Sequence, residues 1–141
     1  MGLLQSGRWV DQWYDTNDPG GQFIRTSPQF RNWITSDGSA GKSGNAGFKA
    51  EPDRYHLYVS LACPWAHRTL IFRELKGLQH IISVSVTHWH LGENGWTFEP
   101  GEGVVQDTVN YFHHLHQLYT ASQPNYTGRV TVPVLWDKKT K

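Results

Sequence analysis

The chain has 141 residues, enough for one domain with a substantial core. Its formal net charge is +1 and its basic residues are scattered, which argues against a nucleic-acid footprint or a polybasic membrane patch. A single cysteine excludes a disulfide framework and suits a reducing compartment, and neither a secretory leader pattern nor a membrane-length apolar run is visible, so a soluble cytoplasmic protein is expected.

Residues 1–35 carry Trp9, Trp13, Tyr14, Phe23, Phe30 and Trp33 without helical or strand period. The expectation is an irregular arm whose aromatics anchor it to the rest of the chain; an aromatic ligand on Trp9 or Trp13 is the weaker reading. Ser36 to Gly47 reads as a flexible Gly/Ser-rich loop. Its Gly41-Lys42-Ser43 triplet lacks the spacing, preceding strand and following helix of a phosphate cradle, which argues against nucleotide binding. These features divide the chain into an N-terminal extension over residues 1–50 and a domain over 51–141.

Tyr55 to Val59 is aromatic and β-branched between turn residues, a strand signal. Cys63-Pro64 then opens a helix: Pro64 suits the first helical position and Gly77 the stop. Ala66, Leu70, Ile71, Phe72 and Leu75 read as its apolar stripe. Cys63 therefore sits where unpaired amides and the helix dipole favour a thiolate, with His67 and Arg68 adding positive charge within a turn. The plainer alternative is an inert buried cysteine. Ala66 occupies the position of a resolving thiol, so chemistry at Cys63 is expected to be monothiol, through a mixed disulfide.

Ile81 to Val86 reads as a second strand, parallel to the first because a helix intervenes. Thr87 to Gly103 is a polar loop in which Trp96 is either a stacking surface or an ordinary anchor. Asp107 to Tyr119 predicts a second helix with Asp107 as N-cap and Val109, Phe112, His116 and Tyr119 along one side. Val130 to Trp136 predicts a third strand, and Asp137 to Thr140 a hairpin turn. Pro133 does not belong inside a central strand; after Val132 it suits a cis X-Pro bond facing the thiol, with the Val132 backbone free to pair with an extended peptide.

Together, Tyr55 to Gly77 with its Ala62-Cys-Pro-Trp-Ala-His-Arg68 core, Glu93-Asn-Gly-Trp-Thr-Phe98 and Gly128-Arg-Val-Thr-Val-Pro-Val-Leu-Trp-Asp137 closely resemble the glutathionyl-hydroquinone reductases, the xi class of glutathione transferases. Gly7, Trp9, Asp11, Trp13-Tyr-Asp-Thr16 and Phe30-Arg-Asn-Trp-Ile34 also look like that family's N-terminal extension. The resemblance implies an α/β, thioredoxin-like domain, incomplete here. The family's last strand, its helix, the acidic-serine pair that holds glutathione, the all-helical C-terminal domain and the homodimer contacts would all lie beyond Lys141.

It further implies that Cys63 is the nucleophile and that Trp96 and the run Arg129, Val130, Thr131 and Val132 contact glutathione, with Pro133 as the cis-proline. Glutathione is the implied co-substrate, glutathionyl-hydroquinones are the implied substrates, and no metal is required. Three alternatives stand beside this reading: an omega-like thioltransferase or dehydroascorbate reductase on the same scaffold, a zinc module built from His88, His90, His113, His114 and His116, and a non-catalytic interaction protein.

Overall fold

The computed structural model describes residues 2–14 and 27–141. Phe23, and Asp15 and Thr16 of the Trp13–Thr16 motif, lie outside the described residues. The element order is β1 (Leu3–Gln5), β2 (Arg8–Val10), β3 (Tyr55–Val59), α1 (Pro64–Leu75), β4 (Ser83–Val86), α2 (His116–Ser122), β5 (Gly128–Arg129) and β6 (Val134–Asp137).

All five residues of β3 are buried, as a central strand covered on both faces requires. It pairs in parallel with β4 (Leu57 opposite Val84) and antiparallel with β6 (Leu57 opposite Leu135), giving the order β4-β3-β6. The parallel pair follows from the α1 crossover. Leu57, Val59, Ala66, Phe98, Leu115, Leu118 and Trp136 form the core on and around this sheet.

Within β3, His56 is fully buried and satisfied across the strand. Its Nδ1 lies 2.6 Å from the Ser83 hydroxyl and its Nε2 2.9 Å from that of Ser85, while Ser85 donates its own proton to the Gln106 carbonyl. That direction leaves Nε2–H as the donor to Ser85 and Nδ1 as the acceptor from Ser83. Burial pushes His56 down to about 4, so it stays neutral.

Five expectations change. Part of the expected irregular arm is regular: β1 and β2 form an antiparallel hairpin, and β1 also pairs with β5, Leu3 opposite Arg129, while residues 11–14 and 27–34 carry no helix or strand. Strands this short carry no readable period and form because a partner late in the sequence completes the ladder. The Gly/Ser stretch is folded back on itself: Thr35 and Phe48 join through their backbones, Gly47 bonds to the Gly38 carbonyl, and the Asn32 side chain accepts the Asn45 amide.

The expected stripe on α1 belongs to two faces. Ala66 is buried and Leu70 packs against the core, but Ile71, Phe72 and Leu75 are exposed. At 3.6 residues per turn they project from the opposite side, and the inner face is completed by Arg73, whose guanidinium caps the Ile82 and Gln79 carbonyls.

The fourth change concerns the second helix, which begins at His116 rather than Asp107. The buried Asp107 carboxylate instead accepts the Tyr58 hydroxyl (2.7 Å) and the Val109, Asn110 and Phe112 amides, holding residues 107–112 as a tight loop with Tyr111 in a left-handed conformation. The Gln117 side chain takes the His113 and His114 amides, and the helix starts only there. Similarly, the run Val130 to Trp136 is not one strand. Gly128–Arg129 pairs with β1, the chain changes sheets, and β3 receives only Val134–Asp137. Proline, without an N–H, sits at that break.

Candidate active site

The turn after β3 delivers Cys63 to the helix start. The Cys63 amide bonds to the Ser60 carbonyl (3.1 Å) and the Ala62 amide to the Ser60 hydroxyl (3.3 Å), folding the chain sharply. Cys63 is the N-cap of α1, in extended conformation, with Pro64 at the first helical position. Its carbonyl accepts the His67 amide, the first bond of the helix. The thiol is half-buried, and Sγ lies 3.8 Å from the Val132 carbonyl oxygen, the thiol donating.

Val132 belongs to the segment that precedes β6. The Val132–Pro133 peptide is cis. Among the described residues the Val132 amide has no hydrogen-bond partner. Val130 and Val132 are buried and hold the segment against the core, whereas Thr131 is fixed through its backbone. The Tyr119 hydroxyl donates to the Thr131 carbonyl (2.9 Å) and accepts the Thr131 amide (3.2 Å). Burial raises the Tyr119 phenol above its ordinary value, which keeps the donating proton in place. This tie was not legible in the sequence, where Tyr119 was one aromatic on a helix face.

The remaining expected site residues are placed elsewhere. Trp96 is half-buried, packs against the core and accepts the Leu115 amide with its carbonyl (2.9 Å). Arg129 bonds to the Gln12 carbonyl and lies 4.2 Å over the Tyr14 ring, so its guanidinium is engaged by the N-terminal segment. Among the described residues, no hydrogen bond, ion pair or ring contact links either residue to Cys63. His67 and Arg68 are exposed, and the Arg68 guanidinium stacks over Trp65 at 4.6 Å. The geometry thus joins Cys63 with Val132, and it joins Arg129 and the turn just before Trp96 with the N-terminal hairpin.

A cavity of about 810 Å³ runs along β6, with Phe30, Tyr119, Tyr126, Pro133 and Trp136 among its lining residues. Cys63 does not line it, so the thiol contact and the cavity are separate features sharing Pro133. The histidines form no metal cage: among the described residues no three His, Cys, Asp or Glu side chains are grouped to hold an ion. His114 and His116 stack on each other at 5.1 Å instead. Among the described residues no helix is long and apolar enough to cross a membrane.

A parallel β-α-β unit with a thiol at its helix start, returned by an antiparallel strand, is a thioredoxin-like thiol domain. The chain belongs to the glutathione S-transferase family: residues 62–141 match the model of the "Glutathione S-transferase, N-terminal domain". Among individual proteins it is similar to glutathionyl-hydroquinone reductase YqjG of Escherichia coli, 59% identical over 99% of this chain and 43% of that protein. Glutathionyl-hydroquinone reductase PcpF of Sphingobium chlorophenolicum is 54% identical over 100% of this chain and 42% of its own. More distantly, a Schizosaccharomyces pombe "Glutathione S-transferase omega-like 2" is 46% identical over 89% of this chain and 38% of its own.

Among solved structures, the glutathione-bound YqjG of Escherichia coli superposes with a TM-score of 0.82 at 53% identity, over 96% of this chain and 39% of that one. A xi-class transferase from Natrialba magadii gives 0.80 at 44% identity, over 99% and 39%. The chain therefore spans about two-fifths of the length of the curated relatives it matches.

Proposed function

We propose that this chain supplies the thiol and glutathione-binding half of a glutathionyl-hydroquinone reductase acting in the cytoplasm. The observation that carries the reading is the Cys63 thiol, 3.8 Å from the Val132 carbonyl at the start of α1. A peptide laid along residues 129–132 meets the Val132 amide, which has no partner among the described residues, and its cysteine sulfur is thereby brought beside Sγ. The family resemblance adds Trp96 and Arg129 as further contacts for glutathione, and the 54–59% identity to proteins named glutathionyl-hydroquinone reductases supports the choice of substrate.

In the first step the Cys63 thiolate attacks the sulfur of the glutathionyl adduct. A disulfide forms between Cys63 and glutathione, the aryl carbon–sulfur bond breaks, and its electron pair goes to the ring carbon, which takes a proton to give hydroquinone. A second glutathione then attacks the mixed disulfide as thiolate. It releases oxidised glutathione and restores Cys63, and its thiol proton balances the one taken by the ring. One thiol suffices, consistent with Ala66 three residues on.

Cys63→Ser in the full encoded protein is expected to lower hydroquinone release by roughly three orders of magnitude or more while glutathione affinity largely survives. Trapping the wild type with substrate before the second glutathione should show one glutathione on Cys63 by mass spectrometry. Wild-type turnover in the serine variant would end the proposal. The identity to an omega-like transferase favours one rival, dehydroascorbate reduction at the same thiol. A clear preference for dehydroascorbate over a glutathionyl-hydroquinone in parallel assays would decide for it.

A further inference from the structure

The N-terminal hairpin touches both stretches assigned above to glutathione: Trp9 of β2 meets the turn before Trp96, and Leu3 of β1 pairs with Arg129. Its indole N–H donates to the Glu93 carbonyl at 2.9 Å, across 84 residues of sequence. Its ring stacks on His116 at the start of α2, with centroids 5.0 Å apart and planes 18° from parallel. The turn that presents Trp96 lies directly on this ring. Gly95 has φ +69°, and a Cβ there would fall 2.7 Å from the indole, so no other residue fits without displacing the plate.

Gly95 closes the turn by bonding to the Gly92 carbonyl at 3.0 Å, while Glu93 and Asn94 face solvent. The stretch after the turn is held separately, Trp96 by the Leu115 amide and Phe98 by the His113 carbonyl. Across the hairpin, Leu3 pairs with Arg129, and the Gln12 carbonyl takes the Arg129 guanidinium. One short hairpin therefore reaches both the Trp96 turn and the Arg129 segment, two pieces of chain that do not neighbour each other in sequence.

We propose that Trp9 is a positioning residue for glutathione, seating the Glu93–Trp96 turn through its indole N–H and ring so that Trp96 and Arg129 present a preformed site. The proposal rests on the glutathione-binding reading given above. A site held in place before binding spends less of its affinity on ordering, so loosening the turn should weaken glutathione without touching the thiol.

The test is titration calorimetry of glutathione into the full encoded protein, paired with the rate of Cys63 alkylation by iodoacetamide. Trp9→Ala is expected to weaken glutathione by about tenfold, and Trp9→Phe, which keeps the stack and loses the N–H donor, by about threefold. Both should alkylate Cys63 within about twofold of the wild-type rate, since Trp9 makes no contact with the thiol. Trp33→Phe, a change at an exposed indole bonded only to Ser43, should bind glutathione as the wild type does.

Wild-type affinity in both Trp9 variants overturns the proposal, as does a loss of affinity matched by Trp33→Phe or by an equal change in Cys63 reactivity. If Trp9→Ala does not fold, Trp9→Phe decides alone by the same criteria. A wild-type protein that binds no glutathione while Cys63 still alkylates overturns the functional reading itself, and this inference with it.

Discussion

Tyr119 shows how much one hydroxyl can govern. It holds the Thr131 carbonyl and amide together, one residue before Val132 and two before Pro133. Tyr119→Phe removes a buried bridge and leaves a carbonyl and an amide without that partner, which should cost about 1–2 kcal/mol of stability by denaturant melt. Because the freed residue adjoins the Val132 amide, the KM for glutathione should rise several-fold while kcat changes little. An unchanged KM beside a lowered stability would make the tie a matter of folding alone. Asp107 has the same character on the other side of β3. With Tyr58 and three amides on one carboxylate, Asp107→Ala should destabilise by roughly 3 kcal/mol, and hydrogen exchange should speed at Val109, Asn110 and Phe112 first.

At the scale of elements, what could be read from the sequence was what is made locally. Tyr55–Val59, the Pro64 start of α1, its Gly77 stop and the parallel β3–β4 pairing each follow from residues within a turn or a crossover of one another. The placement of Cys63 at the helix start belongs with these. What stayed hidden depends on partners far along the chain. β1 and β2 are three residues each and exist because Gly128–Arg129 extends their ladder. The Asp107 signal was real, since it does cap amides, but its carboxylate serves a loop pinned by Tyr58, and no periodicity reveals that. On α1 the apolar residues were counted correctly and assigned to one face, when Arg73 fills the inner position that Phe72 was expected to take. The ties of Arg129 and of the turn before Trp96 to the N-terminal hairpin run across more than 80 residues, and no local pattern reveals them.

For the whole molecule, acid is the informative perturbation. His56 is held down to about 4 from 6.5 by burial, against a smaller opposing pull from Asp107. His116, half-buried and beside His114, is likewise lowered to about 4, again chiefly by burial. Below about pH 6.5 the unfolded chain takes up protons that these folded imidazoles refuse, so stability falls as pH drops from about 6.5 to about 4 and then levels for these groups. Asp137 acts lower. Burial alone would raise it, but hydrogen bonds from Arg54 and Thr140 prevail and hold it at about 2, from 3.8. Its contribution is present above about pH 3.8 and is lost as pH falls toward 2. A Tm measured from pH 8 to pH 3 should therefore hold above pH 7 and decline steadily below it. A flat profile between pH 7 and pH 4 would contradict the buried neutral state of His56.

The Arg54–Asp137 pair also bears on the order in which the molecule can close. Arg54 sits just before the central strand, buried, with its guanidinium shared among Asp137, Glu51 and the Gly47 carbonyl. Asp137 lies 83 residues later, at the end of β6. On a ribosome the first strand of the sheet, its helix and its parallel neighbour all emerge while that charge still has no acidic partner from the far end. Glu51, three residues upstream, can meet the guanidinium from the start, but the two-toothed carboxylate that accompanies its burial comes only with β6. β6 thus acts as a clasp: its pairing with β3 and the Asp137 carboxylate on Arg54 tie the beginning and end of this sheet together across 83 residues of chain.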